Sequence, residues 1–386
     1  MTSIDQLPAN AGVLICGHGS RAKIAEEEFS LLASGLRQRY PDLKIEYGFL
    51  EYSAPNIHMA LDSLLEQGVQ KIYAVPGMLF LATHAKNDIP SVLTTYMEKH
   101  PGLSIEYGNE LGLHDEMIAA FQARILNALV YDEAPEIGAL YDTMLVVVGR
   151  GTSVAGANAE AAKLTRIVCE NLGFGWSETV YSGVTFPSVG RGLEMALKLG
   201  FKKIVVAPYF LFGGRLIDRI YGYVDKVAAE NPEVDFFKAD YLRDQSHVIN
   251  TFVARIDECI NDNYGRPTLM QDFRDRLARG EVDVHHHHAE FQPHDHDHHH
   301  HDHEHGHDHH HDHSHDHDHG HSHGHGHGHG HHHAPYRHIG HPHGPRTMIN
   351  ENVCCCFMSQ FPQEIIDEEQ ARKPVLEGTP SCKRGR

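Results

Sequence analysis

Short apolar runs alternate with amphipathic stretches through the first 264 residues of the chain. Apolar runs of about four to eight residues, bounded by Gly, Pro or polar residues, are typical of buried strands. In the first half they predict strands at residues 13–16, 44–51, 71–76 and 104–108. The intervening stretches have helical spacing and predict helices at residues 26–39, 57–67 and 91–99. This strand–helix alternation predicts a parallel sheet covered by helices on both faces.

The pattern of the first half recurs about 132 residues further along the chain. Turn residues at the ends of predicted elements repeat at this offset, and so does a Leu-Phe pair: Pro55 and Pro187, Gly68 and Gly200, Pro76 and Pro208, Leu79-Phe80 and Leu211-Phe212. Several independent matches at one offset indicate a duplication. We therefore predict two similar α/β domains that face each other, residues 1–133 and 140–264, connected by residues 134–142.

Composition changes abruptly beyond residue 264. Residues 265–284 are rich in charge and predict a partly helical linker, and residues 344–386 form a tail that contains four of the seven cysteines. Between them, residues 285–343 hold 31 of the 37 histidines, interleaved with Asp and Gly. Because so few apolar side chains cannot offset the entropy lost on ordering, we expect this histidine-rich tract to be disordered without metal.

Imidazole groups in such number favour a metal-binding role for the tract over a merely solvated low-complexity tail. Neutral imidazole binds Co²⁺, Ni²⁺, Cu²⁺ and Zn²⁺, and the usual order of divalent affinities places copper and nickel above cobalt. Any selectivity for cobalt must therefore reside elsewhere in the chain. The tract is predicted to buffer or deliver metal.

Charge and cysteine placement argue against several classes of protein. The formal net charge of −19 argues against a nucleic-acid binder, which needs a basic surface to displace phosphate counterions. Cys16, Cys169 and Cys259 stand singly in apolar segments, where buried free thiols are expected. The first ten residues lack the basic and apolar regions of a signal peptide, and no run of about 18 apolar residues could cross a membrane. We therefore expect a cytoplasmic protein without a membrane partner.

Three polar residues of the first half follow predicted strands where each strand ends: His18, Glu51 and His84. In a parallel sheet these ends share one edge, and ligands bind there. Gly17 and Gly19 on either side of His18 allow a ligand to approach the backbone closely. Each residue taken alone is more commonly an ordinary loop side chain. Together, two imidazoles and a carboxylate suit a borderline divalent metal, and imidazole can also accept protons near neutral pH.

The duplication supplies an internal comparison for this candidate site. At the equivalent positions the second half has Arg150, Gly183 and Arg215, which cannot bind a divalent cation. Arginine is permanently charged and pairs well with carboxylates. We therefore predict that the first half supplies metal and proton chemistry, while the second offers a cationic wall to an anionic substrate. Lys86, two residues beyond His84, is a further candidate for binding that substrate.

Three segments of the first half carry a resemblance to a known family: Ile-Cys-Gly-His-Gly-Ser-Arg at 15–21, Gly-Phe-Leu-Glu-Tyr-Ser-Ala-Pro at 48–55 and His-Ala-Lys-Asn-Asp-Ile-Pro at 84–90. In this order they resemble the long sirohydrochlorin cobaltochelatases of the CbiX type, class II chelatases related to ferrochelatase. The resemblance covers residues 12 to about 262, and long members often carry a histidine-rich segment too. It implies an α/β fold of two tandem flavodoxin-like chelatase domains with parallel sheets, holding the tetrapyrrole in the cleft between them.

The resemblance also implies a reaction, the ATP-independent insertion of Co²⁺ into sirohydrochlorin in cobalamin biosynthesis, without a nucleotide cofactor. The family's catalytic histidines match His18 and His84, which would ligate Co²⁺ and accept the pyrrole protons, and its metal-site glutamate matches Glu51. The cationic residues named above become candidates for binding the substrate carboxylates. A downstream methyltransferase of the cobalamin pathway is a candidate partner.

Two alternatives stay open on the sequence alone. The same site could insert Fe²⁺ or Ni²⁺, in the service of sirohaem or another tetrapyrrole. A protein of a different class, for metal storage or as a metallochaperone, would explain the histidine-rich tract. It would leave unexplained the three strand-end residues and their replacement in the second half.

Some long members of the family also carry a C-terminal Met-x-Cys-x-x-Cys iron–sulfur motif. This chain departs from it, because residues 352–356 read Asn-Val-Cys-Cys-Cys and the next cysteine is Cys382. Three consecutive cysteines cannot easily all face one cluster. Cys354, Cys356 and Cys382 are therefore candidates for an iron–sulfur or thiol site, with a surface thiol patch that holds no metal as the alternative.

Overall fold

The structure, a computed structural model, describes residues 3–133, 135–263, 265, 267–284, 364, 367 and 368. Its main body consists of two α/β halves, each built on a four-stranded parallel sheet. The predicted fold class of two tandem parallel-sheet domains is thereby confirmed. The histidine-rich tract and the candidate thiol site of Cys354, Cys356 and Cys382 lie outside the described residues.

The first half opens with a short 3₁₀ turn, Ile4–Gln6, and then alternates strands with helices. A π-helical turn, His84–Asp88, leads directly into α3. The elements are β1 (Ala11–Gly17), α1 (Lys23–Arg39), β2 (Lys44–Phe49), α2 (Ile57–Glu66), β3 (Lys71–Pro76), α3 (Ile89–Lys99), β4 (Ser104–Tyr107) and α4 (Asp115–Ala128). The strand order in the sheet is β2-β1-β3-β4. The two central strands, β1 and β3, are those with the longest runs of buried residues.

The second half repeats this order and adds one helix. Its elements are β5 (Thr143–Gly149), α5 (Ala155–Leu172), β6 (Trp176–Tyr181), α6 (Val189–Lys198), β7 (Lys203–Pro208), α7 (Arg215–Glu230), β8 (Asp235–Lys238), α8 (Ser246–Asn261) and α9 (Leu269–Ala278). The strand order β6-β5-β7-β8 matches that of the first sheet. The agreement confirms the duplication predicted from the sequence.

The turns that follow the first strand of each half show why a glycine recurs there. Gly19 and Gly151 have positive φ angles of 92° and 79°. A Cβ on Gly19 would lie 1.6 Å from the backbone oxygen of Glu51, and one on Gly151 would lie 2.0 Å from that of Gly183. Only glycine fits this close approach between neighbouring loops. Both halves therefore bring the loop after their first strand against the loop after their second.

The strand residues alternate between two layers of packing. In β1, Val13 and Ile15 face a central core that lies between the two sheets, whereas Leu14 and Cys16 face α2 and α3 on the outside. The second sheet is arranged in the same way, with α6 and α7 on its outer face. All seven residues of β1 are buried, because both faces of the strand are covered.

The last helix of each repeat packs on the other half. Helix α8 lies against β3 and α1 of the first half, and α4 lies against β7 and α5 of the second. The two helices also contact each other, where Nδ1 of His247 is 2.7 Å from Oε2 of Glu116. Phe252 of α8 and Phe121 of α4 are fully buried in the same central core. The two sequence repeats are therefore interlocked rather than separate packing units.

Helix α9 occupies the segment for which the sequence predicted a partly helical linker. It begins at an N-cap, where the hydroxyl of Thr268 accepts a hydrogen bond from the backbone N–H of Gln271. Leu269, Met270 and Phe273 are buried against the first half. Full burial of such a side chain contributes about 1.5–3 kcal/mol. The predicted linker thus contains a helix that is docked on the core.

Cys16, Cys169 and Cys259 are buried free thiols, as predicted. Burial raises the pKa of the Cys16 thiol well above its ordinary value, so this thiol stays protonated and unreactive. Among the helices in the described part of the chain, none combines the length and apolar character that crossing a membrane requires.

Candidate metal site

His18, Glu51 and His84 lie together at one edge of the first sheet. His18 follows β1, Glu51 follows β2 and His84 opens the π-helical turn after β3. These three strands are neighbours and parallel, so their carboxyl ends meet at the same edge. One possible ligand atom of each residue lies within 4.8 Å of the others. The structure therefore brings together the three residues that the sequence singled out.

The imidazole of His18 is oriented by its own loop. Its Nδ1 lies 2.9 Å from the backbone oxygen of Gly19, a contact that requires a proton on Nδ1. The lone pair then resides on Nε2, which is 3.4 Å from Oε1 of Glu51. About a quarter of each side chain is accessible to solvent, at 24% and 25%. His18 thus presents an unprotonated nitrogen beside a carboxylate, as a metal ligand must.

His84 is oriented by a carboxylate one helical turn later. Its Nδ1 is 2.6 Å from Oδ2 of Asp88, whose side chain is only 8% exposed. Because the carboxylate can only accept, Nδ1 of His84 carries the proton and Nε2 is left free. A carboxylate behind a ligating histidine fixes its tautomer and raises its basicity. The rings of His84 and His18 meet edge to face, with centroids 4.4 Å apart.

The electrostatics of the site keep His18 neutral. Burial, together with the nearby His84 and Arg150, lowers the pKa of His18 to about 3. The hydrogen bond to Gly19 and the charge of Asp88 act in the opposite direction but are weaker. A neutral imidazole at physiological pH is the form that binds a metal. The unperturbed value near 6.5, which the sequence alone suggests, does not apply to His18.

Arg150 of the second half reaches this site from the opposite side. It follows β5 as His18 follows β1, and its charge lowers the pKa of His18. The carboxylate of Glu51 in turn raises the pKa of Arg150, although desolvation lowers it more. A guanidinium therefore lies within electrostatic reach of two of the three candidate ligands.

Arg215 lies at the start of α7, with its side chain exposed. The loop before it is held by Glu28 of α1, whose carboxylate accepts from the backbone N–H of Gly213 at 2.7 Å and from the hydroxyl of Tyr241 at 2.7 Å. A Cβ on the neighbouring Gly214 would come 3.3 Å from Ala22, in the loop after His18. Arg215 thus follows directly on a residue that lies beside the loop after His18.

Lys86 lies in the π-helical turn and borders a cavity of about 610 Å³ between the halves. Charged side chains of both signs line this cavity, from the first half as well as from the second. Besides Lys86 they include Glu110, Asp115, Glu160, Lys163 and Arg255. Lys86 therefore borders a cavity that both halves line, and His18, Glu51 and His84 are not among the residues that line it.

Two features of the site were missed by reasoning from the sequence. Asp88 was part of a recognised segment, but its spacing of four residues from His84 was the signal that the two side chains share one helical face. The guanidinium carbon of Arg21 lies 5.0 Å from the ring centroid of Tyr52, and that ring is 6.4 Å from His18. Both residues follow strand ends, and they form an aromatic and cationic rim beside the histidine pair.

Known proteins resemble this chain in both halves. A family model described as CbiX matches residues 12–128 and 144–259. The sirohydrochlorin cobaltochelatase of Priestia megaterium is 34% identical over 230 residues, which are 60% of this chain and 74% of that protein. The sirohydrochlorin ferrochelatase of Bacillus subtilis (strain 168) is 28% identical over 255 residues, 66% of this chain and 94% of that protein.

Two solved structures share the fold of the described core. The sirohydrochlorin chelatase SirB from Bacillus subtilis subspecies spizizenii, in complex with cobalt, matches with a TM-score of 0.55 and 26% identity over 67% of this chain and 98% of that one. SirB from Bacillus subtilis with Fe³⁺ matches with a TM-score of 0.58 and 26% identity over 67% and 99%. Since the family model covers more than half of the residues, once in each half, this chain belongs to the CbiX family.

Proposed function

We propose that this protein inserts Co²⁺ into sirohydrochlorin. The observation that carries the proposal is the meeting of two free imidazole nitrogens and a carboxylate, His18, His84 and Glu51, at one edge of the cleft. Membership of the CbiX family supports the reaction class, and relatives that bear the names of sirohydrochlorin chelatases support the substrate.

The arrangement supplies both functions that metal insertion needs. The incoming metal must exchange water for temporary ligands, and Nε2 of His18, Nε2 of His84 and the carboxylate of Glu51 are available for this. Two pyrrole N–H protons must leave the macrocycle as the metal enters, and an imidazole nitrogen that has released the metal can accept one of them. Asp88 holds His84 in the orientation that keeps Nε2 directed into the site.

The substrate carboxylates are assigned to the cationic residues that face the histidines. Arg150 is the foremost of these, because it lies within electrostatic reach of His18 and Glu51. Lys86 and Arg215 would contact more distant carboxylates, from the inter-half cavity and the start of α7 respectively. Guanidinium groups bind carboxylates with two parallel hydrogen bonds, which orients the macrocycle as well as attracting it.

We assign cobalt rather than iron as the metal because of the names of the relatives. The cobaltochelatase of Priestia megaterium is 34% identical, against 28% for the ferrochelatase of Bacillus subtilis. The latter matches over 94% of its own length, so insertion of Fe²⁺ is the second candidate function. A site of two nitrogens and one oxygen suits either metal, so the donor set itself does not choose between them.

The histidine-rich tract is proposed to supply metal rather than to take part in insertion. Its 31 imidazoles follow both halves in the chain, and the candidate ligands of the site come from the first half alone. A tethered metal-binding segment raises the local concentration of metal near the cleft. Storage without insertion, the remaining alternative, would leave the arrangement of His18, Glu51 and His84 without a purpose.

The proposal is tested by mixing the full-length protein anaerobically with sirohydrochlorin and Co²⁺, Fe²⁺ or Ni²⁺, each alone and in competition. Insertion is followed by the absorption spectrum of the tetrapyrrole. We expect the fastest turnover with Co²⁺. The His58→Ala variant serves as a control and should insert metal as wild type does, because this histidine lies in α2 beside Tyr96. Metal binding without any insertion would overturn the chelatase assignment, and faster turnover with Fe²⁺ would overturn the choice of cobalt.

A further inference from the structure

Helix α9 lies beyond the residues that the family model matches, yet it packs beside the turn that carries His84. The model match ends at residue 259, and α9 spans Leu269–Ala278. The helix contacts α3, β4 and the π-helical turn His84–Asp88. Its anchor residues Met270 and Phe273 are 2% and 0% exposed, so its position relative to that turn is firmly set.

Arg276 connects α9 to the turn by a pair of hydrogen bonds. Its Nη2 donates to the backbone oxygen of Lys86 at 2.8 Å, and its Nη1 donates to Oδ1 of Asn87 at 2.7 Å. Its Nε donates to Asp272, one turn earlier on α9, at 2.9 Å. The side chain is only 16% exposed. Asp272 thus aligns a planar guanidinium that grips two consecutive residues of the turn.

The gripped residues lie between the two members of the His84–Asp88 pair. In this turn the backbone N–H of Ile89 donates to the oxygen of His84, which is the wide hydrogen-bond spacing of a π-helix. The oxygen of Ala85 accepts from the buried hydroxyl of Tyr107 at 3.2 Å, and the next oxygen is the one held by Arg276. Side chains from β4 and α9 therefore take up consecutive carbonyl groups of this turn.

We propose that Arg276 is a positioning residue that holds the His84–Asp88 turn in the shape that directs Nε2 of His84 into the metal site. Arg276 acts through the turn and does not itself touch metal or substrate. The 2.6 Å contact between His84 and Asp88 depends on the relative placement of two residues four apart, and Arg276 holds two of the three residues between them, Lys86 and Asn87. The inference rests on the proposed function, because its readout is metal insertion.

The test compares Arg276→Ala with wild type in the full-length chain, under saturating Co²⁺. A displacement of about 1 Å at a reacting group can cost up to about 10²-fold in rate, so kcat should fall by about ten-fold or more. The KM for sirohydrochlorin should change far less than kcat. Arg279→Ala is the matched control, because Arg279 ends the same helix and pairs with the exposed Glu281 instead of with the turn. It should retain the wild-type kcat.

Two milder variants separate positioning from simple stabilisation. Arg276→Lys keeps the charge but offers one donor group in place of the fork, and Asn87→Ala removes a single acceptor. Each should lose part of the kcat lost by Arg276→Ala, with a melting temperature near that of wild type. They also carry the test if Arg276→Ala fails to fold.

The outcomes distinguish this inference from the function on which it rests. Wild-type kcat in both Arg276→Lys and Asn87→Ala would overturn it, as would a lower melting temperature of Arg276→Ala without a loss of kcat. A wild-type protein that inserts no metal at all would overturn the proposed function, and this inference with it. An active wild type with an unimpaired Arg276→Ala would overturn this inference alone.

Discussion

The two halves share one scaffold and differ where the strands of each sheet end. Strand order and the glycine turn after the first strand agree between them. The first half places His18 and Glu51 on neighbouring loops, whereas the second places Arg150 and Gly183 at the same positions. The comparison indicates that both sheets provide the same scaffold at this edge and that a few side chains determine the chemistry there. The first copy carries three candidate metal ligands there, and the second carries arginine.

The difference also has an electrostatic side. Burial is the main cause of the low pKa of His18, and the charges of His84 and of Arg150 in the second half lower it further. A histidine at residue 150 would carry no permanent charge and would lack this effect. The second half therefore contributes, through the charge of Arg150, to keeping the imidazole of His18 neutral.

The largest difference between the roles of the two halves should appear when either histidine of the first half is removed. His18→Ala and His84→Ala should each lower kcat by about 10²-fold or more, because each loses a positioned proton acceptor and ligand. Steady-state insertion of Co²⁺, followed by absorption, measures the effect. His100→Ala, whose ring stacks on Tyr96 on the outer face, serves as the control. Near-normal turnover in both histidine variants would contradict the assignment of chemistry to the first half.

Asp88→Asn should give the next largest effect. Loss of the carboxylate behind a ligating histidine typically costs about 10–100-fold in activity or metal affinity, and we expect a loss of about ten-fold, mainly at subsaturating Co²⁺. The second half has Arg219 at the equivalent position, and Arg215 stands where the first half has His84. Rates measured over a range of Co²⁺ concentrations test the expectation. An unchanged dependence on Co²⁺ would remove Asp88 from the site.

Arg150→Ala should sharpen the comparison by affecting binding more than turnover. One charge-assisted hydrogen bond contributes about 1.5–3 kcal/mol, so the KM for sirohydrochlorin should rise by about ten-fold or more while kcat changes little. Arg150→Lys should recover only part of the loss, because an ammonium group cannot bind a carboxylate in the same forked geometry. If kcat fell as steeply as in the histidine variants, the second half would belong to the catalytic machinery itself.

The pH dependence of stability offers a smaller but more direct test of His18. In the unfolded chain its pKa is near 6.5, and in the folded chain it is about 3. As the pH falls through this window, the unfolded state takes up a proton that the folded state does not, so wild type loses stability. His18→Ala lacks this contribution. Denaturant unfolding at pH 7.5 and at pH 5 should show a larger loss of stability in wild type than in the variant, and equal losses would contradict the low pKa of His18 in the folded chain.

The smallest effect is expected from removing the tail. Truncation after residue 284 keeps α9 on the core and should leave the rate at saturating Co²⁺ within a few-fold of full length. When a chelator keeps cobalt scarce, the truncated protein should fall behind, since it has lost the local supply. Truncation after residue 264 removes Arg276 as well and should be more damaging. Equal rates for full-length and truncated chains at low cobalt would leave the tract without a role in supply.

The strands were predictable because each is a continuous apolar run that ends at glycine, proline or a polar residue. The run at residues 13–16 grew to Ala11–Gly17 in the structure, and 71–76 was matched by Lys71–Pro76. The meeting of His18, Glu51 and His84 followed from the rule that parallel strands end at one edge. Local pattern and topology sufficed for these features.

Other features depend on contacts between distant residues and left little trace in the local pattern. The packing of α4 and α8 on the opposite halves is one such feature. By sequence, the repeat places α4 in the first half and α8 in the second, and nothing local shows that each packs on the other half. Helix α9 is another, since few apolar residues in a charged segment, among them Met270 and Phe273, decide its docking. The low pKa of His18 likewise required the burial and the neighbours that only the folded chain provides.

The packing of α4 and α8 on the opposite halves also determines how the molecule unfolds. Neither sheet can lose its cover without disturbing the other, because each half contributes a helix to the core of its counterpart. The two repeats should therefore melt as one cooperative unit, with a single calorimetric transition whose enthalpy matches the van't Hoff value. The distance between the two halves should then change little when the macrocycle binds, so that any adjustment is made by the loops at the edge of the cleft.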